Sequence, residues 1–386
     1  MKVSVWDFGA RGDGVRDDYA AFQAALDSGA EEIVIPAGVY PISETLRVAS
    51  HTAILADRGA KIVMQSATRR QRNQFLLSNK DVTTGNADIR IVGGVWDGNN
   101  GAPENAKSDL FDENGYSGVL LNFVNVEGLT LRDMVLANSV TYYVRLCRVH
   151  RFAIENIDFV CDRFGANQDG LHFGGDVRHG TVKNIRALSY GQTNDDMVAL
   201  NADDCIERVE NRDLCRNVIE DITFENIYTE NCHTIIRMLS VTAPIRHIRF
   251  KNVYGGFRCY AVNADGARYC RTPLFKEEEY PAGIGPIEDI VCENFTCRPI
   301  VEPPSGFGGT PAVPGTAMAL ESQMDGVVFT DFRYLCPPDD RKRCPVAVVR
   351  NVVGLNLDAD GQAYTLENKA DTLRLEDFHT LCIRRR

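Results

Sequence analysis

Apolar and polar residues alternate over short runs along most of this chain, and the runs end in Asn, Asp or Gly. A period of two predicts half-buried strands separated by turns. One pattern recurs: apolar, any, apolar, any, Asn or Asp, apolar. It stands at Leu129, Leu131, Asp133 and Met134, and returns, shortened by one residue, at Ile154, Asn156 and Ile157 behind Phe152. It continues at Val182, Asn184 and Ile185, at Ile222, Phe224, Asn226 and Ile227, and at Ile248, Phe250, Asn252 and Val253. The last copies are Ile290, Cys292, Asn294 and Phe295, then Val327, Phe329, Asp331 and Phe332. The closest copies lie about 23 to 28 residues apart, which suits one coil of a solenoid.

These features predict an all-β chain, a parallel β-helix in which alternating apolar residues fill the bore and the Asn turns each corner. Stacked Asn side chains can bond to one another and to the turn backbone. A β-propeller is the rival architecture, but each blade needs about forty residues. A solenoid needs covered ends. The one clear helical pattern, 17–28, supplies the first cover. Asp17 is its expected N-cap, Tyr19, Phe22 and Leu26 share a face, and Gly29 ends it. Residues 373–378 are the expected cover for the last coil. The whole of 1–386 is expected to be a single β-helix domain with loop insertions at 99–117, 202–217, 266–286 and 299–316. Emerging on one face, these loops would wall a groove.

Composition narrows the classes. The 386 residues are 44% hydrophobic and 25% charged, with net charge −11. That argues against a nucleic-acid partner. No apolar run is long enough for a membrane span. Residues 1–7 lack the apolar core of a signal peptide, so the expected location is cytoplasmic, or secreted if a leader has been removed. The twelve cysteines show no zinc-like spacing. Several, such as Cys161, Cys259 and Cys292, occupy apolar positions and read as free core thiols. Pairs such as Cys205 with Cys215, or Cys336 with Cys344, remain open as bridges in a secreted protein.

The chemistry concentrates between Asn167 and Asn201. Asn167, Gln168, Asp169 and Gly170 run into Leu171 and His172. Asn194, Asp195 and Asp196 run into Met197 through Asn201. Each acid stands where a turn enters a strand, from which a carboxylate can reach a cleft. Carboxylates gathered in this way are the minimum equipment for acid–base cleavage of a glycosidic bond. The plainer alternative is that they are solvated turn acids.

The chain resembles the pectin-lyase-like superfamily of right-handed parallel β-helices, beginning with Asp7, Phe8, Gly9, Ala10, Arg11, Gly12, Asp13 and Gly14 before the acidic-capped helix. Residues 90–265 resemble glycoside hydrolase family 28, the polygalacturonase-like enzymes. That family carries Asn-Thr-Asp-Gly, Asp-Asp, Gly-His-Gly and Arg-Ile-Lys on successive coils. Residues 167–170 match the first motif with one change, and Asp195 and Asp196 match the second. His233 alone remains of the third, and Arg258 alone of the fourth, with Tyr260 in place of the lysine. The resemblance implies an inverting hydrolase with no cofactor or metal. In it Asp195 is the general acid, Asp169 and Asp196 activate water, and His233 tunes the acid. Asn167, His172, Arg237, Arg258 and Tyr260 are the implied substrate contacts. The implied substrate is a pectin-like oligo- or polysaccharide, and walls around the cleft favour chain-end cleavage. Two alternatives stay open: a lyase or epimerase on the same fold, for which the Asp cluster would hold a cation, and a non-catalytic carbohydrate-binding solenoid.

Overall fold

The computed structural model describes residues 1–65, 74–189, 192–267, 276–300, 315–337, 340 and 342–386. Within them the strands join into one continuous sheet that winds in parallel coils. The repeat stacks in register. Leu131 pairs with Ile154, then Val182, Phe224, Phe250, Cys292 and Phe329 on successive coils. All seven are buried, so this column is one ridge of the core. Met134, Ile157, Ile185, Ile227, Val253, Phe295 and Phe332 form a second ridge. Gly180 interrupts a third column at the copy that holds Val182 and Asn184. The ring of Phe152, one coil before it, occupies the place a side chain would need there.

The corner residue is Asn for two physical reasons. Asn156, Asn184, Asn226, Asn252 and Asn294 all have φ between 53° and 60°, a left-handed conformation that Asn adopts more readily than other side chains. Their amides also form a ladder. Asn184 Nδ2 donates to Asn156 Oδ1 at 2.8 Å, Asn226 to Asn184 at 2.8 Å, Asn252 to Asn226 at 2.9 Å, and Asn294 to Asn252 at 2.9 Å.

The helix runs Tyr19–Leu26 and buries Phe22, Ala25 and Leu26 against the first coil. Its N-cap position is Asp18 rather than Asp17. The Asp18 carboxylate turns away to accept the backbone N–H groups of Arg11 and Gly12 at 2.7 and 3.0 Å, tying the Gly-rich segment to the helix. Asp17 accepts from Tyr19 N and from Ser43 N, both at 3.1 Å. At the other end Thr372–Leu375 and Leu381–Arg385 pair antiparallel with Ala347–Arg350, Leu355–Ala359 and Ser322–Tyr334 and close the last coil.

The insertions differ from expectation. Residues 202–217 do not extend into solvent: Asp203, Asp204, Cys205, Val209, Glu210, Asn211 and Leu214 are buried. Most of the 299–316 segment and the middle of 266–286 lie outside the described residues. All eleven described cysteines are free. Cys215 faces Cys147, Sγ to Sγ 3.4 Å, whereas the Cys205 thiol points to Glu207. The expected alternative pairing of Cys205 with Cys215 is therefore not the one the fold brings together. Among the described residues no helix is long and apolar enough to cross a membrane.

Candidate active site

Strand register gathers the acids. Leu171–Gly174 pairs with Asp196–Asn201, with Leu171 opposite Val198, which sets Asp169 beside Asp196 one coil later. The backbone confirms the neighbourhood: Gly170 N donates to Asp196 O at 2.9 Å, and Asp196 N donates to Asp169 Oδ1 at 3.4 Å. Only a glycine fits at 170, because an added Cβ would come within 2.7 Å of Met197 O. On the following coil Asp196 pairs with Thr234, and Thr234 with Tyr260. His233 N donates to Asp195 O at 3.2 Å. The register slips between Thr229 and Thr234, and such a bulge re-aims side chains at a site. It brings His233 Nδ1 to 3.4 Å from Asp195 Oδ1. Arg237, opposite Ala199, lies 3.8 Å from Asp196 Oδ2 and donates through Nε to Asp265 Oδ2 at 2.8 Å.

The acids are not equivalent. Asp169 and Asp196 are buried, at 3% and 2% exposure, while the Asp195 side chain is 26% exposed. Burial, and then the charge of Asp195, pushes the Asp169 and Asp196 carboxyls well above the usual carboxylate range. Burial would raise Asp195 too, but the hydrogen bond and charge of His233, helped by Arg237, hold it below that range. Burial would lower His233, and the hydrogen bond with Asp195 outweighs it, so the imidazole is held well above its ordinary value. Negative charge is thus favoured on Asp195, beside the His233 imidazolium, and protonation on the inner pair. One ligand atom from each of Asp195, Asp196 and His233 lies within 4.8 Å of the others. These three are the residues that could hold a divalent cation, with the Arg237 charge opposing it.

The family model described as rhamnogalacturonase A/epimerase, pectate lyase-like, matches residues 2–100. A family 28 exopolygalacturonase from Yersinia enterocolitica superposes with TM-score 0.55 at 16% identity, covering 91% of this chain and 71% of that one. This chain folds as a right-handed parallel β-helix, the fold of that enzyme. Parts of the chain also have sequence relatives. A preneck appendage protein of Bacillus phage PZA is 36% identical over 98 residues, 25% of this chain and only 11% of the phage protein. The mannuronan C5-epimerase AlgE5 of Azotobacter vinelandii is 28% identical over 200 residues, 43% of this chain and 20% of the epimerase.

Within this β-helix the residues expected to touch substrate divide into two groups. Asn167 is half-buried and accepts from Lys107 Nζ at 3.1 Å. Tyr260 is half-buried in the column below Asp196 and Thr234. The Arg237 side chain is 18% exposed. Of these three, Arg237 reaches an acid, 3.8 Å from Asp196 Oδ2. His172 and Arg258 do not reach a ligand from where they lie, and the expectation for both is corrected. His172 is fully buried, stacked on Tyr142 with ring centroids 3.9 Å apart, and shares a 2.8 Å hydrogen bond with Asp169. Burial lowers its pKa to about 3, so it is a neutral group that orients Asp169. Arg258 is 1% exposed and donates to Asn194 Oδ1 at 2.9 Å and Asn231 Oδ1 at 3.3 Å, bracing the turn that presents Asp195.

Sequence reasoning missed the supporting residues. Asp265 anchors Arg237. Asp204 lies 4.0 Å from His172 Nε2 and accepts from Asn201 Nδ2 at 2.9 Å. Tyr142 OH donates to Asn211 Oδ1 at 2.8 Å and so fixes the ring on which His172 stacks.

Proposed function

We propose that this protein is a glycosidase that cleaves O-glycosidic bonds of a pectin-like oligo- or polysaccharide with the carboxylates of Asp169, Asp195 and Asp196. The observation that carries the reading is the convergence of three carboxylates from two coils on His233 and Arg237, with their proton affinities driven apart. A pair of titratable groups pushed in opposite directions is what acid–base cleavage near neutrality requires. A general acid must hold a proton and a general base must lack one. The shifts favour the proton on the inner pair and the charge on Asp195, the reverse of the roles the resemblance implies. Asp195 takes the acid role only where the sugar breaks its pairing with His233. Otherwise Asp196 is the acid and Asp195 the base. An inverting pair also wants about 6.5–9.5 Å between its carboxyls. Asp195 and Asp196 bring one oxygen each within 4.8 Å of the other, and the anomer formed decides between inversion and retention. Residues 202–217, seated across the face beside His172, support cleavage from a chain end.

A second reading has its own support. The Asp195, Asp196 and His233 set is compact enough for a divalent cation, and the similarity to an epimerase points to uronate proton abstraction on the same fold. A glycan-binding role without turnover is the third. The deciding experiment is a screen against α-linked uronate, rhamnose and galactose oligosaccharides, with and without chelator, followed by NMR. Chelator-insensitive sugar release, lost in Asp195→Asn and Asp196→Asn, supports hydrolysis, and the anomer formed reports inversion or retention. Unsaturated or epimerised products, or loss to chelator, overturn it in favour of the second reading. Binding without turnover that survives Asp196→Asn favours the third.

A further inference from the structure

A cavity of about 830 Å³ opens on the amino-terminal side of residues 202–217 and takes no part in the chemistry above. Its floor is a column of outward-facing positions on the coils before the acids. Arg47 pairs with Ser78, Ser78 with Asn122, Asn122 with Arg145, and Arg145 with His172. Asn122 Nδ2 donates to Ser78 Oγ at 3.1 Å and Arg145 Nε donates to Asn122 Oδ1 at 2.9 Å, so the floor is built and bonded. Arg145 lies over the Phe75 ring at 5.3 Å and donates to the carbonyls of Glu210 and Arg212 at 2.7 and 3.1 Å. The insertion is thereby pinned between this cavity and the carboxylate cluster.

The lining is strongly biased in charge. Arg47, Lys80, Arg145 and Arg148 contribute to it against the single carboxylate of Asp213, in a chain of net charge −11. Lys80 is paired with Asp27 at 2.7 Å. Arg148 Nε donates to the amide of Asn125 at 2.7 Å, and among the described residues no carboxylate comes within salt-bridge distance of it. Phe75, Val82 and Leu214 add apolar surface, and Thr83, Asn122 and Asn125 add polar groups. Arg47 to Arg145 spans three strand spacings, about 14 Å, the reach of a short oligomer rather than of a single ion.

We propose that this cavity is a second glycan site that holds an acidic oligosaccharide, bearing carboxylate or sulfate groups, on the far side of the 202–217 insertion from the acids. The proposal rests on the carbohydrate reading of the protein, but its test does not need turnover. Titration calorimetry would use the full chain carrying Asp196→Asn, with four probes: a galacturonate tetramer, a sulfated galactan tetramer, a neutral galactan tetramer and a single-stranded DNA tetramer. Either acidic sugar is expected to bind with an affinity that falls as salt rises, and the two arms separate carboxylate from sulfate. Arg47→Gln with Arg148→Gln should weaken it about tenfold or more, each lost charged contact being worth up to that much. Thr83→Glu, an exposed rim position, should also weaken it, without removing any floor contact. The neutral tetramer should be insensitive to all three changes. Acidic-sugar binding no tighter than the neutral control, or unchanged in both variants, overturns the proposal. So does tighter binding of the DNA probe than of either acidic sugar. Absent turnover in the unaltered protein, with salt-sensitive binding intact, would sink the hydrolase reading and leave this one standing.

Discussion

Replacing His233 by Gln isolates the interaction that sets the two kinds of carboxylate apart. The imidazolium lies 3.4 Å from Asp195 Oδ1. At that distance a unit-charge pair is worth about 5 kcal/mol at an effective dielectric of about 20 and about 1 kcal/mol in bulk water. The side chains are 37% and 26% exposed, so screening favours the lower figure, about 1–2 kcal/mol. Glutamine keeps a hydrogen-bond donor but loses the charge, and the Asp195 carboxyl should rise by roughly one pKa unit. The assay is the pH profile of kcat/KM on an oligosaccharide found by the screen. If Asp195 is the base, it must be ionised, and the acidic limb of the profile moves up by about one unit. If Asp195 is the acid, it must be protonated, and the alkaline limb moves up instead. A variant that stays folded and active with both limbs unmoved would refute the ion pair as the controlling element.

Three further outcomes follow from the same geometry. Asp196 is raised above its ordinary 3.8, so the folded state retains a proton the unfolded chain has released. That contribution is full below about 3.8 and is lost as pH rises through the raised value; Asp196→Asn should flatten the fall in Tm between pH 4 and 8, and an unchanged slope would contradict the assignment. His172 is depressed from 6.5 to about 3, so stability is fully present above 6.5 and lost as pH falls toward 3, a drop on the order of 5 kcal/mol; His172→Gln should make the protein less acid-sensitive by urea titration at pH 4 against pH 7, even if less stable at pH 7. Asn226 is left-handed, donates to Asn184 and accepts from Asn252, so Asn226→Ala should cost about 2 kcal/mol in denaturant unfolding and Asn226→Gly less; equal losses would mean that the ladder, rather than the backbone conformation, carries the effect.

The repeat and its corner were legible in the sequence because both are local. An Asn after alternating apolar residues states its backbone conformation and its neighbour on the next coil at once, and the observed ladder from Asp133 to Asn294 is that rule applied five times. Asp169, Asp195 and Asp196 were legible for a related reason, since each lies at the turn-to-strand boundary of its own short segment. Depth was not legible. Whether His172 and Arg258 face a ligand depends on what covers them, and the covers come from far along the chain. Tyr142 stacks on His172 under the clasp of Asn211, and Arg258 is enclosed beside Asn194 and Asn231.

The 202–217 insertion shows why composition misleads at this point. Its acids and arginines look like a solvated excursion, yet its buried acids Asp203 and Asp204 bond to groups of the β-helix. Asp203 Oδ2 accepts the N–H groups of Val241, Thr242 and Ala243 at 2.8, 2.6 and 2.5 Å, where the chain leaves one coil for the next. Asp204 takes Cys205 N and the Asn201 amide, and Arg145 rises from the coil below to take two of the insertion's carbonyls. Buried charge is tolerated only when it is paired in this way, so polarity here records what the insertion bonds to, not exposure to water. The same bonds join the two halves of the face. Through Asn211, Tyr142 and His172 the insertion orients Asp169, and through Arg145 it forms the wall of the cationic cavity. A segment that reads as a tolerated loop is therefore the part that both separates the acids from the basic cavity and holds one of those acids in place.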